Sequence, residues 1–141
     1  MWFQVLKDLQ RKLQKDFPNL KVFIGKKTPP GQSDYPFASL IPVKFTYGEE
    51  FFQMEVALWF GVKVSEKDEE AGLNEFLNLF HDLNMFLFQN STFGNCEIFL
   101  GTIGLINIQR NHPYYEGEID FKVRIPFEAV KNIKTFDGYY G

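Results

Sequence analysis

The side chains able to do chemistry are few, and none has a partner at a useful spacing. Cys96 is the single cysteine in 141 residues. As a nucleophile it would need a base such as His81 or His112 beside it, and a nearby positive charge to favour the thiolate. It precedes Glu97 at the start of an expected strand, which predicts a partly buried, inert thiol. His81 and Asp82 are neighbours on an expected helix, so they point apart rather than forming a hydrogen-bonded pair. His112 and Glu116 offer two possible metal ligands, fewer than a site needs. Gly25-Lys26-Lys27-Thr28 ends like a phosphate-binding loop, but Leu20 stands where the earlier glycine is required, so it reads as a solvated basic turn. Glu49-Glu50 and Glu69-Glu70 have ordinary turn and helix-start readings. Glu116, Glu118 and Asp120 differ, because they alternate along one strand face. That acidic row either meets water or forms a wall facing a channel or partner. Like charges there would repel DNA and let it slide past without sticking. No metal, cofactor or catalytic group is expected from these residues.

Composition narrows the classes further. Apolar residues make up 45% and charged residues 23%, a globular balance at the size of one domain. No stretch of roughly 20 apolar residues is present to span a bilayer as a helix. Met1-Trp2-Phe3-Gln4-Val5 has neither the basic start nor the small-residue cleavage site of a secretory signal. A lone cysteine points to a reducing compartment. The formal net charge of -3 argues against a chain whose main work is gripping nucleic-acid phosphates. There are 17 Phe, enough large rings to fill a core and leave some for a partner surface.

The elements that must carry these residues are legible from periodicity. Trp2, Val5, Leu6, Leu9 and Leu13 form a helical stripe over residues 1–17, ended by Pro18 and Asn19. A short strand over Leu20–Ile24 follows. Gly25–Tyr35 is a loop, because Pro29-Pro30-Gly31 removes two backbone donors. Residues 36–47 read as a strand with Phe37, Ile41, Val43, Phe45 and Tyr47 on one face, and Pro42 marks a sheet edge or a bulge. Gly48-Glu49-Glu50 is a hairpin turn.

Residues 51–65 alternate without a break through Phe52, Met54, Val56, Leu58, Phe60, Val62 and Val64. Gln53, Glu55, Lys63 and Ser65 lie on the other face, with Trp59 among them. Ser65 is an expected helix cap, and Leu73, Phe76, Leu77, Phe80, Leu83, Phe86 and Leu87 form a helical stripe that Leu79, Met85 and Phe88 widen, which predicts burial on more than one side, within the domain or by a neighbour. Gln89–Asn95 is a break and residues 96–109 a strand. Gln109–Pro113 is a loop. Tyr115–Phe127 is a strand with Ile119, Phe121, Val123 and Ile125 packed. The tail 129–141 shows no period. Phe51, Trp59, Phe93, Phe136, Tyr139 and Tyr140 fall off the main stripes, an excess that points to a protein–protein interface.

The class is therefore α+β: a mainly antiparallel sheet of two long hairpins plus a short strand, covered by an N-terminal and a central α-helix. This order, with a last strand entered through His112-Pro113-Tyr114-Tyr115-Glu116-Gly117-Glu118-Ile119-Asp120-Phe121-Lys122-Val123, resembles the tail-terminator and tail-completion proteins of long-tailed bacteriophages. The resemblance covers nearly the whole chain as element order and character rather than as a motif.

It implies a non-enzymatic, cofactor-free virion protein, assembled in the bacterial cytoplasm as a homo-hexameric ring. Such a ring caps the tail tube, meets the head connector and passes DNA without binding it specifically; no membrane is involved. Mapped here, the contacts are Lys26, Lys27, Pro29 and Pro30 in the first loop, Gly48, Glu49 and Glu50 at the hairpin tip, and Arg110, Asn111 and His112 at the second tip. Trp59, Tyr139 and Tyr140 join them, and Glu116, Glu118 and Asp120 form the lumen face. A neck or minor capsid component fits the sequence almost as well. A small ligand-binding or regulatory domain, using a cavity between sheet and helices, is the reading from a different class. An enzyme is the third.

Overall fold

The computed structural model describes residues 1–25, 34–65, 68–99 and 105–126, the stretch 105–111 by its backbone alone. Within them the chain runs α1 (Trp2–Asp16), β1 (Lys21–Ile24), β2 (Phe37–Tyr47), β3 (Phe51–Lys63), α2 (Glu69–Gln89), β4 (Thr92–Phe93), β5 (Cys96–Phe99), β6 (Leu105–Asn111) and β7 (Tyr114–Pro126). The α+β class holds. The strands form one seven-stranded sheet in the order β1-β2-β3-β7-β5-β4, with β6 also on β7.

Both helices pack on one face. Val5, Leu6, Leu9 and Leu13 of α1 share a core with Phe76, Leu83, Phe86 and Leu87 of α2. The sheet supplies Met54, Val56, Leu58, Phe60 and Val62 from β3 and Ile119, Phe121, Val123 and Ile125 from β7. Phe60 stacks on Phe76 at 5.2 Å, and Phe17 meets Phe86 edge-on at 6.2 Å, which ties the helices together. The polar side of α1 is also tied down: Gln10 donates to the Val22 carbonyl (2.9 Å) and Gln14 to that of Leu20 (2.6 Å), which clamps β1 beside the helix.

Several expectations are corrected. Asp68, not Ser65, caps α2, accepting from the Glu70 amide at 3.2 Å. Leu77, Met85 and Phe88 lie exposed on α2, so the domain itself does not bury a second side of this helix. The strand expected over 96–109 is two strands, β5 and β6, and 109–111 belong to β6 rather than to a loop. The break at 89–95 contains β4, which turns back onto β5 through Gly94 at φ 55°.

The first strand pairs with β2 in parallel, an exception to the antiparallel rule of the rest. Register shifts between Pro42 and Lys44, so the two halves of β2 show opposite faces. Phe37 and Ile41 lie opposite Gly61 and Ala57, while Phe45 and Tyr47 lie opposite Met54 and Phe52. A one-residue slip moves every later side chain across the sheet, so the single odd-numbered face expected for 36–47 does not exist.

Candidate functional site

The face of the sheet away from the helix core divides into two zones. At the inner end, Phe37 pairs with Gly61, and its ring lies across the glycine. A Cβ on Gly61 would collide with the Phe37 ring and touch Tyr35 at 3.0 Å. Tyr35 in turn meets Phe37 (5.2 Å) and Tyr114 (5.1 Å). Trp59 is only 4% exposed, and its indole N–H donates to Oε1 of Glu116 at 2.8 Å. The Tyr35 hydroxyl donates to the other oxygen at 3.0 Å. Burial, reinforced by that bond to a carboxylate, pushes the Tyr35 phenol up to about 12.

Trp59 is therefore a packed residue, not a surface contact. Glu116 is engaged within the fold, and the expected acidic row is broken at its first member. The missing signal was cross-strand: Trp59 and Glu116 are separated by 57 residues, and only the β3–β7 register brings Trp59 opposite Glu118, next along the strand from Glu116.

At the outer end, Glu55, Glu118 and Asp120 line a cavity of about 210 Å³ with Val43, Phe99 and Lys122. Partial desolvation, a hydrogen bond with Glu118 and the charges of Glu118 and Glu55 raise the carboxyl of Asp120, itself an exposed residue, to about 6. Beside it Arg124 is sandwiched between the rings of Phe51 (4.3 Å) and Phe99 (3.9 Å), and its Nε donates to Gln53 at 2.8 Å. Phe51 thus has a partner within the chain, and Phe93 is buried. Neither belongs to a surplus of surface rings.

Besides Phe3 on α1, Leu77, Met85 and Phe88 on α2 and Phe99 on β5, exposed apolar groups cluster on β2. Val43 is 65% exposed, Phe45 48% and Tyr47 60%. Trp2 stands beside Phe45 and Tyr47, 5.5 Å from the Phe45 ring, and its N–H donates to the Tyr47 hydroxyl at 2.9 Å, while Val43 lies on the other face at the acidic cavity. The Gly48-Glu49-Glu50 tip follows at once and is exposed, closed by the Gly48 amide on the Phe51 carbonyl (3.0 Å). Sequence reasoning puts Val43, Phe45 and Tyr47 on one face with Phe37 and Ile41. The bulge that moves Phe45 and Tyr47 is signalled only by Pro42.

The remaining expected residues separate. His112 does not project from its turn: its Nδ1 lies 2.9 Å from the buried Tyr115 hydroxyl, which donates to the Glu69 carbonyl at 3.3 Å. Gly72 provides the room, since a Cβ there would come within 2.9 Å of that hydroxyl. Arg110 and Asn111 lie in β6, where only the backbone is described. Lys26, Lys27, Pro29, Pro30, Tyr139 and Tyr140 fall outside the described residues.

Cys96 is buried, and burial, with a smaller contribution from Asp8, pushes its thiol up to about 11, the wrong direction for a nucleophile. Among the described residues no three or more His, Cys, Asp or Glu come together to hold a metal. No helix among them is long and apolar enough to cross a membrane. Comparison with protein-family models and with curated proteins returned no match.

Proposed function

We propose that the chain is a non-enzymatic structural protein of a phage or prophage virion, a tail terminator in character. Its copies form a ring, six in the resemblance, that caps the tail tube and joins it to the head connector. The paired strands β2–β3 and β6–β7 serve as two long hairpins side by side, one presenting the Gly48-Glu49-Glu50 tip. The observation that carries this reading is the outer half of β2. A strand with Val43, Phe45 and Tyr47 about half exposed or more beside an acidic tip is poorly suited to a monomer and well suited to a protein contact. Glu118 and Asp120, with Glu55 in place of Glu116, are the carboxylates left for a DNA-repelling lumen wall.

The test is to mix the purified protein with tail tubes of the phage or prophage that encodes it and to image the tube ends. Capped ends and arrested tube growth are expected; bare ends at saturating protein would overturn the assignment.

One observation favours a second reading, a small ligand-binding domain. The cavity lined by Glu55, Glu118, Asp120 and Lys122 has apolar walls, and its excess of carboxylates would suit a small organic cation. It lies on the face opposite the helix core, not between sheet and helices. A cationic small molecule that co-purifies with the chain would favour this reading over the ring.

A further inference from the structure

The sheet has two open edges, and their positions along the strands are complementary. On one side β1 covers β2 only over Phe37–Leu40, and that ladder ends where the Gly25 amide donates to the Leu40 carbonyl at 2.8 Å. Beyond it, the outer side of Ile41–Tyr47 has no strand partner among the described residues. On the other side β5 covers Lys122–Arg124 of β7, and β6 pairs along Tyr114–Ile119. The outer side of β6 likewise has no strand partner among the described residues. Each edge is half covered, and the covered halves are diagonal opposites.

Traced through β3, the open part of β2 is level with Asp120–Ile125 of β7, whereas β6 is level with Tyr114–Ile119. The open edges are offset by about six residues, roughly 20 Å along the strands. Directions also agree. The pairings make β2 run the same way as β7, and β6 the opposite way. The open part of β2 in one copy therefore meets β6 of an upright neighbour antiparallel.

Edges left to solvent are usually blunted by charge, proline or a bulge. Here Pro42 and the bulge sit at one end of the open segment and Lys44 supplies a single charge, while Val43, Phe45 and Tyr47 remain exposed around it.

We propose that residues 43–47 of β2 add antiparallel to the outer side of β6 in a second copy of this chain, and that the contact repeats head to tail. Four strands per copy at ~4.8 Å span roughly 19 Å, so an offset of roughly 20 Å tilts them near 45° to the ring axis, close to the tilt of closed sheets. With that offset the neighbour's β4 and β5 stand beyond the Gly48-Glu49-Glu50 turn, and the covered halves do not collide. A heterologous contact of this kind closes when the rotation allows, whereas β2 on β2 would stop at a dimer and leave β6 open. The inference rests on the self-assembly part of the ring reading and adds which strands carry it.

The test uses the full chain with Cys96→Ser, adding Thr46→Cys together with Ile106→Cys or Gln109→Cys, the positions of β6 that share the helix-free face with Thr46. Mild oxidation of at least one pair is expected to give covalent species of three or more protomers, while Thr46→Cys alone stays uncrosslinked. Dimers from Thr46→Cys alone, with nothing larger from any pair, would overturn the proposal in favour of a two-fold contact. An oligomer by light scattering that no pair cross-links would reject these strands and leave the ring reading standing. A chain that stays monomeric and uncrosslinked at every concentration would reject both. Independently, Val43→Lys changes an exposed side chain and is expected to raise the concentration for half-assembly about tenfold or more with an unchanged circular dichroism spectrum. Unchanged assembly would contradict the proposal.

Discussion

The two halves of β2 show what the fold needs and what it leaves over. From Phe37 to Leu40 every residue is buried, β1 lies alongside, and the helix-free face is closed by Tyr35, Trp59 and Glu116 in a hydrogen-bonded group. From Val43 to Tyr47 every residue is exposed and no strand flanks the outer side among the described residues. The strand is continuous, so the difference is not one of propensity. It is set by what each half finds opposite. The inner half meets Gly61, which admits the Phe37 ring; the outer half follows a bulge that turns Phe45 and Tyr47 to the other face. The inner half is finished within one chain, and the outer half reads as unfinished.

The largest effects should therefore fall on the inner half. Trp59→Ala removes a buried indole and leaves Glu116 short of a donor. It is expected to cost about 3–5 kcal/mol in urea unfolding, against less than about 0.5 kcal/mol for Val43→Ser in the monomer. Equal costs would erase the distinction between the halves. Gly61→Ala is next, at about 1–3 kcal/mol, because its Cβ must displace the Phe37 and Tyr35 rings.

The smallest effect belongs to the outer cavity. Asp120 holds its proton up to about 6 in the fold against an ordinary value of 3.8, so the folded chain binds more protons than the unfolded chain between those values. Stability contributed by this group is present below pH 4 and declines as pH rises toward 6. Asp120→Asn should flatten that part of the profile and leave the protein no less stable at pH 7. A profile unchanged by the substitution would remove the acidic cluster from the account.

Much of this was readable in the chain before its structure. The stripe Val5, Leu6, Leu9 and Leu13 and the alternations of β3 and β7 are long and strictly periodic, and each buries the face expected of it. The Gly48-Glu49-Glu50 turn was also plain. What was not readable depends on pairing. The bulge after Pro42 exists only relative to β3, so the facing of Phe45 and Tyr47 could not be set by counting along β2. Trp59 looked like a surplus ring because its company is polar, yet a carboxylate from a distant strand satisfies its N–H. The same pairing took Glu116 out of an acidic row that alternation alone had drawn. The division of 96–109 into β5 and β6 reflects two stations on β7, which periodicity does not encode.

The central claim is that the outer half of the sheet is completed by further copies of the chain. The most direct measurement is mass by light scattering on a sizing column, over a wide range of protein concentration and salt. The account predicts a mass that climbs with concentration past two protomers toward a closed ring. A mass fixed at one or two protomers across the whole range would contradict it.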